Sequence, residues 1–237
     1  LINKRLNWNY PHREAEIIPS KLSVSSIKKC KTDHWPVNLP DLPLLLPGPD
    51  FIMNQPDNKV TRLSGAEKGT IMHFVMQHLD LARVGSTTEI ELQLQEMLAQ
   101  ELLTAEETGA VQIGKISRFF ACALGQRMLH SPSVYREVPF NLVYNAARVM
   151  DDIEPSEEEL LIQGVIDLYF SEGDEMVLVD YKTDYISEQN RAALIRQYSI
   201  QIDLYKQALE SISKKKVKES YLYLFHTEEM IGIENEE

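Results

Sequence analysis

The chain has 237 residues and a net charge of −12, from 36 Asp+Glu against 24 Lys+Arg. Its 43% hydrophobic content supports a sizeable core and excludes a disordered chain. An acidic balance weighs against nucleic-acid binding, which needs cationic surface. The excess is local, however. Residues 151–159 and 228–237 carry six and five acids with no Lys or Arg, and without them 25 acids face 24 bases. No stretch approaches the roughly 18 apolar residues of a membrane span, and the first twenty residues lack the apolar run of a secretory signal. Two separated cysteines, Cys30 and Cys122, exclude a four-cysteine zinc or iron–sulfur centre within this chain. A reduced cytoplasmic setting is the expectation.

Residues 1–35 are basic, with seven Lys/Arg against three acids, and a helix is expected to open at Ser23 or Ser25. Six prolines between Pro36 and Pro56 block regular structure and read as a linker or long loop. The expected division is therefore 1–62, an N-terminal extension with its Pro-rich linker, and 63–237, a folded domain. Order resumes at Ser64-Gly-Ala-Glu67, a capping-box pattern, followed by Ile71, Met72, Val75, Met76 and Leu79 on one helical face. Glu89–Glu107 reads as a second helical region and Ile113–Leu129 as a third. Val134–Val143 then reads as a strand and 151–159 as an excursion. Glu159–Phe170 and Met176–Tyr181 read as two further strands around a turn at 171–174. Helical spacing returns over Glu188–Ser211, and Val217–His226 reads as a last strand. Helices, three strands, a helix and a strand make an α/β core with additional N-terminal helices.

Three strand-borne residues carry the chemistry: Asp167, Asp180 and Lys182. Side chains at i and i+2 share a strand face, so Asp180 and Lys182 point the same way. Paired strands can bring Asp167 level with Asp180. Buried charges are costly unless paired or bound to metal. Hard oxygen donors suit Mg²⁺ or Mn²⁺ beside a lysine, an outline of metal-assisted phosphodiester hydrolysis. From spacing alone two blander readings stay open: Asp180–Lys182 as an edge-strand ion pair, and Asp167 as a cap on the following turn.

Gly164-Val-Ile-Asp167 followed by Val179-Asp180-Tyr-Lys182 resembles the nuclease motif of the PD-(D/E)xK superfamily in its RecB-like branch. Gly69-Thr-Ile-Met-His73 resembles the GxxxH helix of that branch, and Tyr198-Ser-Ile-Gln201-Ile-Asp-Leu-Tyr205-Lys-Gln-Ala-Leu209 its YxxQxxxYxxAL helix. The four blocks stand in order across roughly 64–226. Within the branch, Lys21-Leu-Ser-Val-Ser, Lys68 to Asp80 and Arg136-Glu-Val-Pro-Phe140 are most similar to the C-terminal nuclease domains of AddA subunits in AddAB helicase–nucleases.

That resemblance implies a restriction-endonuclease-like mixed β-sheet core flanked by helices. It implies Asp167 and Asp180 as metal ligands, with the Tyr181 backbone carbonyl and His73 completing the set. Lys182 would assist the nucleophilic water, and Glu137 would sit near the site or a second metal. Gln201 and Tyr205 would support the site or touch DNA. It further implies Mg²⁺, with Mn²⁺ as substitute and no iron–sulfur cluster. The expected substrate is single-stranded DNA, specifically the 3′-terminated strand in double-strand-break repair by recombination, and the expected partner is an AddB-like subunit. The start at Leu1 and the lack of a GxxxxGK[ST] loop place the helicase region in a preceding part of a longer protein. Two rival readings are a catalytically inactive nuclease-like DNA-binding or assembly module, and a stand-alone RecB-like exonuclease. Basic candidates for DNA contact are Lys4, Arg5, Arg13, Lys21, Lys28, Lys29, Lys31, Arg191, Arg196, Lys214–Lys216 and Lys218.

Overall fold

A capping box opens the helix that carries the first candidate ligand. In the computed structural model, which describes residues 18–32, 63–149, 158–184, 186 and 188–233, Ser64 Oγ accepts from Glu67 N–H while the Glu67 carboxylate accepts from Ser64 N–H. These reciprocal bonds satisfy two donors that a helix start leaves bare. The Pro-rich stretch 36–61, the boundary at 62/63, most of the basic N-terminal residues and most of the 151–159 excursion lie outside the described residues.

In chain order the elements are β1 (Lys21–Ser23), α1 (Val24–Thr32), α2 (Gly65–His78), α3 (Thr87–Ala99), α4 (Ala105–Ala110), α5 (Ile113–Ala121), α6 (Ala123–Leu129), β2 (Val134–Asn145), β3 (Glu159–Glu172), β4 (Glu175–Lys182), α7 (Glu188–Ser213), β5 (Val217–Leu224) and β6 (Glu229–Gly232). They form a mixed six-stranded sheet flanked by helices, ordered β1-β3-β4-β5-β6 with β2 also on β3. β3–β4 and β5–β6 are antiparallel, whereas β1–β3 and β4–β5 are parallel. The parallel β4–β5 pair requires a crossover, and α7 supplies it. No helix among the described residues is long and apolar enough to cross a membrane.

The described residues divide into two compact units, one of 18–32, 140–149 and 158–164, the other of 63–139 and 165–233. In the first, β1 pairs with the start of β3, and Ser23 Oγ accepts from Ser26 N–H to open α1. Gly164 is required there by close approach. A Cβ at that position would lie 2.7 Å from the Phe140 ring and 2.9 Å from Val24. In the second, one sheet face presents Leu168, Phe170, Val177, Val179, Tyr181 and Tyr223 to an apolar core with Val75, Leu79, Leu94 and Phe119. Alternation then sends Asp167, Tyr169 and Asp180 to the other face.

Several boundaries differ from expectation, each for a local reason. The second helical region is two helices, because Thr104 and Glu107 form a further capping box. The third is broken at Cys122, whose extended backbone (φ −72°, ψ 163°) ends α5 and starts α6. The β3–β4 hairpin turns on Gly173-Asp174 alone, since Ser171 and Glu172 still pair with Met176 and Glu175. The acidic C-terminal block contains β6, paired along β5.

Candidate active site

Helix α2 presents His73 toward the sheet one turn beyond Gly69. His73 Nδ1 lies 3.1 Å from Glu137 Oε1 on β2 and 3.6 Å from Asp167 Oδ1 on β3. The ligand atoms of these three residues all lie within 4.8 Å of one another. Burial alone would lower the imidazole. The carboxylates of Asp167 and Glu137 outweigh it and raise His73 to about 9. Asp167 is fixed from behind, as Tyr181 N–H donates to its Oδ2 at 2.8 Å.

Asp180 and Lys182 form the adjoining pair. Asp180 is fully buried, and its Oδ2 lies 2.6 Å from Lys182 Nζ. Burial pushes Asp180 up against the pull of Lys182. Burial would likewise lower Lys182, but Asp180 and Asp167 raise it above its ordinary value. With these acids around the amine, the ammonium form prevails. The other Asp180 oxygen accepts from Gln201 Nε2 at 3.1 Å, and Gln201 Nε2 also donates to Tyr205 Oη at 2.7 Å. Gln201 and Tyr205 are buried on α7, so they support the acid from behind.

A cleft of about 330 Å³ gives access to this assembly, lined by residues that include Gly69, Thr70, His73, Lys182, Thr183 and Asp184. Gly69 lets α2 approach the end of β4, since a Cβ there would stand 2.9 Å from Thr183 Oγ1. A larger recess of about 520 Å³, lined by Arg127, His130 and Glu172 among others, contains none of these residues.

Comparison with known families decides what this arrangement is. Residues 50–235 match the family model described as the PD-(D/E)XK nuclease superfamily. The chain belongs to the PD-(D/E)XK nuclease superfamily. It is also similar to proteins named as AddA-type subunits of ATP-dependent helicase/nucleases. The one from Syntrophomonas wolfei is 46% identical over 98% of this chain, and that from Alkaliphilus metalliredigens 45% over 96%. A third, from Acetivibrio thermocellus, is 42% identical over 97%. The chain spans only 18–19% of the length of these relatives.

PD-(D/E)XK nucleases use divalent metals, and the donors here fit one. An imidazole and two carboxylates converge within a single coordination radius, a hard donor set suited to such an ion. The sequence points to His73, Asp167, Asp180 and the Tyr181 carbonyl as ligands. The structure gathers His73 and Asp167 with Glu137, and turns Asp180 to Lys182 and Gln201. Glu137 reaches His73, so its surface pairing with Arg136 or Lys115 is not what is seen.

Arg136 is the supporting residue that pattern reading overlooked in this PD-(D/E)XK chain. Its guanidinium donates to Met76 O at 2.9 Å and Leu79 O at 2.6 Å, capping α2 at its C-terminal end. The available signal was its place beside Glu137 in Arg136-Glu-Val-Pro-Phe140. His78 stacks on Phe74 and turns its Nδ1 to the Phe74 carbonyl, away from the site. Tyr198 is buried and donates to Asp184 at 2.5 Å, shaping the turn after β4, and Lys182 Nζ stands 5.0 Å from its ring centroid. Among the basic candidates, Arg191 is paired with Glu229 and Lys218 with Glu172.

Proposed function

We propose that residues 63–237 form a metal-dependent deoxyribonuclease domain that hydrolyses phosphodiester bonds of single-stranded DNA. The observation that carries this reading is the convergence of His73, Glu137 and Asp167 beside the buried Asp180–Lys182 pair. Such a cluster concentrates negative charge at one side of a cleft and a protonated amine at the other. His73, Glu137 and Asp167 would hold Mg²⁺, with Mn²⁺ as substitute, and Asp180 and the Tyr181 carbonyl would complete the shell. The bound ion would supply Lewis acidity toward a phosphate oxygen and a more acidic water.

The chain's own groups do the rest. Lys182 keeps its proton and offers a cation to a non-bridging oxygen or to the attacking water. Asp180 fixes that ammonium from one side, and Gln201 fixes Asp180 through its other oxygen. Tyr205 in turn fixes Gln201. Each link removes a freedom that the reacting groups would otherwise have to lose during the reaction.

The likeness to helicase/nuclease subunits extends the proposal. The domain would act as an exonuclease on the 3′-terminated strand delivered by an attached helicase region, together with an AddB-like partner. Its setting would be cytoplasmic double-strand-break repair by recombination. Cleavage of labelled single-stranded DNA with Mg²⁺ or Mn²⁺, and its loss on chelation, tests the core claim. Lys182→Ala and Asp180→Ala are expected to lower the rate by about a hundredfold or more. Full activity in the Asp180→Ala variant would overturn the site.

A further inference from the structure

Two tyrosines continue the row of side chains that holds the metal-ligating acids. Ser171 N–H donates to Ser133 O, which sets the β2–β3 register. Two residues along both strands, Tyr135 and Tyr169 stack with ring centroids 4.7 Å apart and planes at 17°. Two residues further again come Glu137 and Asp167, both beside His73. Residues at i and i+2 share a face, separated by about 6.8 Å along an antiparallel strand. The tyrosine pair therefore borders the acid pair directly.

Tyr169 is the inner ring, half-buried, and its phenol is pushed up by burial and by Tyr135. Tyr135 is the outer ring and is 45% exposed, one of few large hydrophobic side chains left open to solvent. An aromatic held flat by a second aromatic is rigid before anything binds, so little entropy is lost when a third ring joins the stack. Every nucleobase has a π-face, and stacking on such a ring is sequence-tolerant. Lys182 and the metal-ligating acids act on a phosphate, and none of them reads or holds a base.

We propose that Tyr135, backed by Tyr169, is a stacking platform for one base of the substrate strand, next to the phosphate being cut. The inference rests on the nuclease reading above and adds to it a base-binding subsite. Its occupant is a nucleobase of single-stranded DNA, because the stack is continuous with the residues that would act on the phosphate. A paired base has both faces covered by its neighbours and cannot lie on the ring without leaving the duplex.

The test is a scan with a single abasic residue moved one position at a time through a labelled single strand, with single-turnover cleavage in Mn²⁺. The wild-type protein is expected to lose about 10-fold in rate at one position near the scissile bond, within the range of base–aromatic stacking. Tyr135→Ala is expected to erase that position's penalty, and Tyr135→Phe to keep it. Tyr135 is exposed, so its truncation does not open the core. Brisk wild-type cleavage with a flat scan overturns the platform alone, as does a Tyr135→Ala scan that keeps the penalty. A wild-type protein that cuts no strand overturns the nuclease reading and this inference with it.

Discussion

Glu137 reaches His73 from a backbone position with φ of 51°, inside a strand. Non-glycine residues rarely adopt this conformation, and it costs of the order of 1–2 kcal/mol. Strain at a ligand residue is consistent with a side chain placed for chemistry at some expense of stability. Its neighbour Arg136 is meanwhile aimed at the carbonyls of the same helix that carries His73. Glu137→Gly and Glu137→Ala both remove the carboxylate, and both are expected to lose metal-dependent cleavage by about a hundredfold. Only the glycine variant relieves the backbone. Chemical denaturation should find it about 1 kcal/mol more stable than the alanine variant.

Gln201 is the single described donor to the second oxygen of Asp180. Gln201→Leu leaves a buried carboxylate oxygen without that donor, at a cost of about 1–3 kcal/mol. Cleavage should fall about tenfold in kcat with little change in KM, because substrate does not touch Gln201. Gln201→Glu places an acid against Asp180 and should be worse on both counts. Denaturation and steady-state kinetics on the two variants check this order.

Arg136→Met removes both hydrogen bonds to the end of α2. Loss of a charged donor to buried carbonyls is expected to cost about 1.5–3 kcal/mol. Because α2 carries His73, the variant should also bind Mn²⁺ more weakly, which titration calorimetry reads independently of cleavage. An unchanged affinity would separate the helix cap from the site.

Away from the site, Arg127 lies between Glu172 and Glu219, and Lys218 joins Glu172. The hydrogen bonds from Arg127 and then Lys218 hold the Glu172 carboxyl down at about 2. A depressed folded-state value stabilises the protein above the ordinary carboxylate value of 4.5, and that contribution fades as pH falls toward about 2. The network is solvent-screened, so its contribution is about 1 kcal/mol at most. Glu172→Gln should flatten the thermal-midpoint curve across this acid window and leave it unaltered near neutrality.

Much of this was legible in the chain because it is local. The Ser64–Glu67 capping box, the i,i+2 placement of Asp180 and Lys182, and the i,i+4 placement of Gln201 and Tyr205 follow from period and spacing. The partner of His73 did not follow so directly. Glu137 is 64 residues away, and its reach depends on a positive φ that strand patterns do not announce. The break at Cys122 was hidden because α5 and α6 are apolar on both sides of it. β6 was masked by the acids around it, although Met230 and Ile231 carry the strand signal. The role of Asp180 was legible as an acid on a strand. Its preference for Lys182 and Gln201 over the His73 cluster needed three dimensions.

The groups from His73 to Tyr205 come from α2, β2, β3, β4 and α7, and α7 must cross back before β5 can pair beside β4. Contacts of such long sequence separation form late in folding. Cutting power is therefore withheld from any chain still emerging from the ribosome, and a single proteolytic nick within α7 would disarm the domain without touching an acid. The topology acts as a safety catch: an enzyme that degrades DNA becomes dangerous only once it is whole.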